Sequence, residues 1–288
     1  MGSMNLSKVI NKRINDIPML SVVATRLLEI SGDDNTSLKD IVKIVEKDAY
    51  LTARILRISN SVAFSHGRAI STISDAIVRL GEKTVVGVAM ESSTSFFKQP
   101  LSGYESPAGE LWNHALHTAI AAREISRYSI SPVNPELSYT SGLMHDIGKP
   151  IISDFLAINV NDITKRCDQH QVEDFAAAER DIVGLDHAEA GFELALHWKL
   201  PEALCMAIRW HHEPAHCKQA HQALAYIVHI ADILAMMEGG GLGADFLSYK
   251  MDPDYGKFVK INKADIAAIL LIMRNEFTKT QQLIFGGN

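Results

Sequence analysis

Cysteine is scarce in this 288-residue chain: Cys167, Cys205 and Cys217 are odd in number and form no C-x-x-C pair. That excludes a disulfide framework and fits a reducing, cytoplasmic setting. Long apolar runs are lacking too. The longest near the C-terminus, Ile266 to Met273, falls far short of the roughly 20 residues of a membrane-spanning helix. No charged-then-apolar leader opens the chain, and Met1-Gly-Ser-Met4 reads as a tag remnant, so no membrane partner is expected. There is no excess of positive charge. The net charge of -6 argues against non-specific nucleic-acid binding while leaving room for a local basic pocket. Sustained period-two alternation is absent, which leaves no strand to propose. The glycine run Gly239–Gly243 has no strand before it and no Lys-Ser/Thr after it, so it is a flexible connector and not a phosphate loop. Histidine is almost missing from the first 113 residues, where only His66 occurs.

What is present is helical spacing. Hydrophobic residues make up 47% and charged residues 22%, ordinary for a globular protein whose length suits two lobes. Leu6 to Ile17 reads as a short helix closed by Pro18, and Val23, Leu27 and Ile30 repeat at helical intervals. Ser37-x-x-Asp40 and Thr72-x-x-Asp75 are helix-start signals, with Gly81 as a C-cap. Val85 to Phe97 continues the pattern. Lys98 to Ala108, with Pro100, Gly103 and Pro107, reads as a linker. Helix is then expected at 110–128, 136–148, 151–160, 172–183, 188–198, 201–212, 220–237 and 264–283. The fold class is all-α: a two-lobed helical bundle, divided as 4–105 and 106–288.

Eleven of the twelve histidines lie between His114 and His229, several at the edges of these helices. In Gly142-Leu-Met-His-Asp-Ile-Gly-Lys-Pro150, His145 and Asp146 are adjacent. On a helix such side chains leave about 100° apart, and one cation can take an imidazole nitrogen and a carboxylate oxygen together. That pairing suits zinc, iron, nickel or manganese more than magnesium or calcium. Gly148 is expected to end the turn, Lys149 to place a cation beside the pair, and Pro150 to stop the helix. Any one of these histidines is more simply a surface or core residue; the set reads as a metal site built from separate helices. His117, His197, His216, His221 and His229 are assigned to surface or packing roles.

The order His114 … His145-Asp146 … Asp232 resembles the HD superfamily of metal-dependent phosphohydrolases. Asp16-Ile-Pro-Met-Leu20, Glu46-Lys-Asp48, Leu56-Arg-Ile-Ser-Asn-Ser61, Ile73-Ser-Asp-Ala-Ile77 and Leu80-Gly81 are similar to the N-terminal signature of HDOD domains, HD-related output domains of bacterial signalling proteins. Gly184-Leu-Asp-His187-Ala-Glu-Ala-Gly191, Trp198-Lys-Leu-Pro201 and His211-His212-Glu-Pro214 continue it, so the resemblance covers about residues 14 to 238. It implies an HD-type helical domain preceded by an HDOD N-terminal lobe. Its primary ligands would be His114, His145, Asp146 and Asp232. His187, His211 and His212 match positions that hold a second metal in HD-GYP phosphodiesterases, where Glu110 would add a bridging carboxylate and Lys149 would neutralise a phosphate oxygen. One or two divalent transition-metal ions are implied. After Glu213 the Gly-Tyr-Pro segment of the HD-GYP group is replaced by Pro214-Ala-His-Cys-Lys218, so efficient cleavage of cyclic-di-GMP is not expected. Two functions stay open: a signalling output module that engages a protein partner, as monomer or homodimer, and a phosphohydrolase acting on a nucleotide or other small phosphoester.

Overall fold

The computed structural model describes residues 6–17, 19–31, 33, 35–61, 70–93, 99–169, 171–172, 174–240, 243–245 and 249–285. Among them the only extended pairings are the single bridges Leu101–Ser106 and Ser129–Val259. The protein is all-α and two-lobed. The first lobe is built from α1 (Leu6–Asp16), α2 (Val22–Ile30), α3 (Leu38–Val45), α4 (Ala49–Ser59), α5 (Ile73–Leu80) and α6 (Glu82–Ser93). Its start signals act as expected: the Ser37 amide donates to Asp40 and the Asp75 amide to the Thr72 hydroxyl. Gly81, at φ +79°, closes α5. The buried stripes Ile41, Ile44, Val45 and Ile73, Ala76, Ile77, Leu80 bring α3 and α5 together. Helix α1 reaches across to the second lobe, where Arg13 pairs with Asp154 at 2.7 Å.

The second lobe comprises α7 (Glu110–Ser126), α8 (Pro135–Met144), α9 (Lys149–Leu156), α10 (Val160–Asp168), α11 (Phe175–Val183), α12 (His187–His197), α13 (Glu202–Trp210), α14 (Gln219–Ala235) and α15 (Lys263–Phe285). Helix α7 lies at its centre between α8 and α14, and alanines 115, 119, 121 and 122 let its neighbours approach. One apolar cluster continues through both lobes. By length and composition, Gln219–Gly239 could cross a membrane; here it is the core helix, mostly buried.

Several boundaries differ from expectation. The helix expected over 136–148 ends at Met144, and His145 to Gly148 form a turn. Pro150 does not stop a helix; it sits in the first turn of α9, where a missing N–H costs nothing. Helix α10 escaped the periodicity because, of its residues, only Val160 and Ile163 are buried apolar ones. Helix α11 starts at Phe175, where Asp174 accepts the Ala177 amide at 2.8 Å. Helix α6 starts three residues early, and 94–97 lie outside the described residues, as do Pro18 and Gly241 of the expected connector. The expected linker contains a 3-10 turn, Ser102–Tyr104, folded against the second lobe.

Candidate metal centre

The turn 145–148 hands His145 and Asp146 from the end of α8 into a space bounded by α7, α12, α13 and α14. His114 enters from the second turn of α7, Asp232 from α14, His187 from the first position of α12, and His211 and His212 from just past α13. Gly148 makes this possible: a Cβ there would lie 1.9 Å from the His187 carbonyl oxygen, so only glycine lets the two backbones meet. Every one of these seven side chains is buried or nearly so.

Their polar atoms sort into two wells that share one carboxylate. In the first, His114 Nε2 lies 3.0 Å from Asp232 Oδ1 and 3.2 Å from His145 Nε2, with Asp146 Oδ2 at 3.5 and 3.3 Å from the two imidazoles. In the second, His187 Nε2 lies 2.8 Å from His212 Nε2 and 3.4 Å from His211 Nε2, with Asp146 Oδ1 at 3.4 Å from His187 and 3.7 Å from His211. His114, His145 and Asp232 form one ligand-capable group, and His187, His211 and His212 another. The set fits divalent cations. His145 and His211 donate their Nδ1–H to the carbonyls of Gly142 (2.7 Å) and Ile208 (2.8 Å), which turns both Nε2 atoms inward. Oδ1 of Asp146, Oδ1 of Asp232 and Nδ1 of His212 are buried without a well-directed hydrogen bond among the described residues, and Oδ2 of Asp146 meets only the Lys149 ammonium beside the two imidazoles. Such atoms are costly to bury unless a cation takes them up.

The electrostatics of the cluster agree. Burial alone would raise the Asp146 carboxyl, but His145 and Lys149 hold it well below the usual range. Burial alone would lower His145, yet Asp146 and Asp232 push it up to about 10. Burial, with His145 and His187 beside it, takes His211 down to about 3. His145 therefore carries the proton that offsets the carboxylates, and a metal would take its place.

Lys149 is itself buried. Its Nζ lies 2.7 Å from Asp146 Oδ2 and 2.7 Å from Asp245 Oδ2, which overcome burial and raise its pKa. Glu110 is not among the ligand-capable groups; it turns back within the first turn of α7 to accept from Asn113 Nδ2 at 3.1 Å. His117 stacks on Phe277 at 3.7 Å, and His229 donates to the His211 carbonyl while accepting the Asp252 amide. Both pack, as expected.

Four surrounding residues carried no sequence signal that was read. Glu179 backs His187, Tyr104 backs Glu179, Asp245 pairs with Lys149, and Tyr249 lies flat on His212 with ring centroids 3.8 Å apart. Outside Tyr249 and His212, a cleft of about 350 Å³ opens between Asp174, Glu213, His216 and Lys250.

The sequence profile of the HDOD domain family matches residues 17–214. An uncharacterized protein of Treponema pallidum (strain Nichols) is 26% identical over 231 residues, 79% of this chain and 44% of that protein. The chain thus spans less than half the length of that relative. The solved structure of an HDOD domain protein of unknown function from Geobacter sulfurreducens is 23% identical, with a TM-score of 0.71 over 97% of this chain and 99% of that one. A Marinobacter aquaeolei VT8 protein provisionally assigned to signal transduction is 18% identical, with a TM-score of 0.74 over 99% and 61% of the two chains. A provisionally assigned phosphohydrolase of Shewanella amazonensis SB2B is 21% identical, with a TM-score of 0.65 over 96% and 97%. At these identities the likeness is one of fold.

Proposed function

The chain belongs to the HDOD family, and on that footing we propose that it is a cytoplasmic bacterial signalling output module whose HD-type site holds one or two divalent transition-metal ions. Residues 4–105 would form the N-terminal helical lobe of one HDOD unit and 106–288 its HD-type, metal-holding lobe, which together present a surface to a protein partner. His114, His145, Asp146 and Asp232 would hold the first ion, and Asp146, His187, His211 and His212 the second. Iron, manganese, nickel and zinc suit this nitrogen-rich set. The observation that supports an output role is closure: the ligands are buried, Tyr249 covers His212, and Asp245 occupies Lys149. Catalytic metal sites keep a position open to water and substrate, whereas structural ones are closed.

Elemental analysis of purified protein beside Asp146→Asn tests the site. Metal should be present in the first and mostly gone from the second, with helicity kept; equal metal in both would place the site elsewhere. A phosphoester panel with added manganese, iron or nickel tests the role, and no turnover above a His145→Ala control is expected.

The cleft at His212 favours a second reading, a metal-dependent phosphohydrolase, as does the fold shared with the Shewanella protein. A bound ion would then supply hydroxide near neutral pH. On this reading Lys149 would steady a phosphate oxygen once Asp245 had moved aside. Cyclic-di-GMP is not the substrate expected, since Pro214–Lys218 stands in place of a Gly-Tyr-Pro segment. Sustained turnover abolished by His145→Ala would make the protein an enzyme.

A further inference from the structure

Residues 101–106 join the lobes and also touch the second ligand well through one side chain. Tyr104 is 1% exposed, and its hydroxyl donates to Glu179 Oε1. Glu179, fully buried, accepts the backbone N–H of His187 at 2.8 Å and the His187 Nδ1–H at 2.7 Å. His145 and His211 donate to neutral carbonyls; His187 donates to a carboxylate, which makes its Nε2 the stronger donor to a metal. The segment is also anchored on α9. The Gly103 amide donates to Ser153 Oγ at 3.0 Å, and a Cβ on Gly103 would lie 2.1 Å from the Ser153 carbonyl oxygen. Leu101 and Ser106 exchange backbone hydrogen bonds at 2.9 and 3.1 Å. The Tyr104 ring stacks on Phe175 at 5.4 Å, so its place does not depend on the hydroxyl alone.

We propose that Tyr104 and Glu179 are positioning residues for the His187/His211/His212 well, and that metal affinity there is linked to the seating of the inter-lobe segment. The inference rests on the metal reading above. Linkage is reciprocal: an ion in this well tightens 101–106, and anything that pulls the segment away frees the His187 ring and weakens the ion. The first well, built on His114, His145 and Asp232, meets the segment only at one remove, through the shared Asp146 and through Lys149, whose Nζ lies 5.4 Å from the Tyr104 ring centroid and 2.7 Å from Asp146 Oδ2. A partner acting on the junction between lobes could thus loosen the second ion more than the first.

The test is a cobalt(II) titration of the full chain, read by d–d absorption, for the wild type, Glu179→Gln and Tyr104→Phe. Amide hydrogen exchange of 101–106 is followed with and without cobalt. One binding step should weaken roughly 10- to 100-fold in Glu179→Gln and the other by a clearly smaller factor. Tyr104→Phe should weaken the same step roughly tenfold, the low end of what one hydrogen bond to a carboxylate is worth. Cobalt should protect the Gly103 and Tyr104 amides in the wild type, and Tyr104→Phe should abolish that gain. Wild-type affinities in Glu179→Gln, or a full gain in Tyr104→Phe, would overturn the coupling while the metal reading stood. A wild type that takes up no cobalt would overturn both. Should Glu179→Gln fail to fold, Tyr104→Phe carries the test, since it removes one hydroxyl and keeps the ring on Phe175.

Discussion

Asp146 has no close substitute in the cluster, because each of its oxygens faces a different pair of histidines. The proton on His145 belongs to the same balance. With its pKa at about 10, metal-free His145 is protonated near neutral pH, and a ligating imidazole must be neutral. Metal binding at pH 7.5 should therefore release about one proton from this residue, measurable by calorimetry in buffers of different ionisation enthalpy. The sign for the metal-free fold follows from the raised pKa. The stabilising contribution is complete below about 6.5, the unfolded value, and is lost as pH rises through about 10. Metal-free melting temperatures should fall over that window, and a flat profile would deny His145 the role. The seven clustered side chains could be named from the sequence because histidine is concentrated after residue 113 and because the order His114 … His145-Asp146 … Asp232 resembles the HD superfamily, which implied the rest. Glu179 left a fainter mark: it sits four residues after Phe175 and four before Val183, on an apolar face. Asp245 and Tyr249 left none, since they follow a glycine run with no periodicity.

At the level of elements, the break between α8 and α9 aims His145 and Asp146. A continuous helix would carry His145 and Asp146 along one axis; the turn at 145–148 lets Asp146 face both wells while Lys149 starts the next helix. Capping signals with a side-chain oxygen three residues from its partner, at Ser37 and Thr72, were legible because their chemistry is local. Pro150 was misread because proline is both a helix stop and a first-turn residue, and the choice depends on what Gly148 packs against. That packing makes a sharp prediction. Gly148→Ala should force α9 away from the start of α12, lowering stability by about 1–3 kcal/mol or more and separating Asp146 from His187. Thermal unfolding together with metal content checks it, and an alanine variant with unchanged metal would mean the two backbones can part without cost to the site.

Over the whole molecule, the lobes are joined by α15 as well as by the linker. Glu276 on α15 meets Arg123 of α7 at 2.9 Å and Lys83 of α6 at 3.1 Å. Burial alone would raise its carboxyl, but Arg123 and Lys83 hold it below the usual range. Its contribution is present above the unfolded pKa and lost as pH falls through the folded one. Glu276→Gln should cost about 1 kcal/mol at neutral pH and less in high salt, read by denaturant unfolding at two ionic strengths. Two lobes and an all-α fold were legible from length and the absence of alternation. That α1 crosses to the second lobe was not, since an amphipathic stripe does not say which partner will cover it. Burial of the ligand-capable side chains has one more consequence, in time rather than affinity. An ion seated behind His212 and Tyr249 can leave only when those rings part, so its residence time is set by how often the protein opens. Stripping of loaded protein by excess chelator should then proceed at a rate that does not rise with chelator concentration, and Tyr249→Ala should quicken it. A rate proportional to chelator would instead mean that the ligands are met directly from solution.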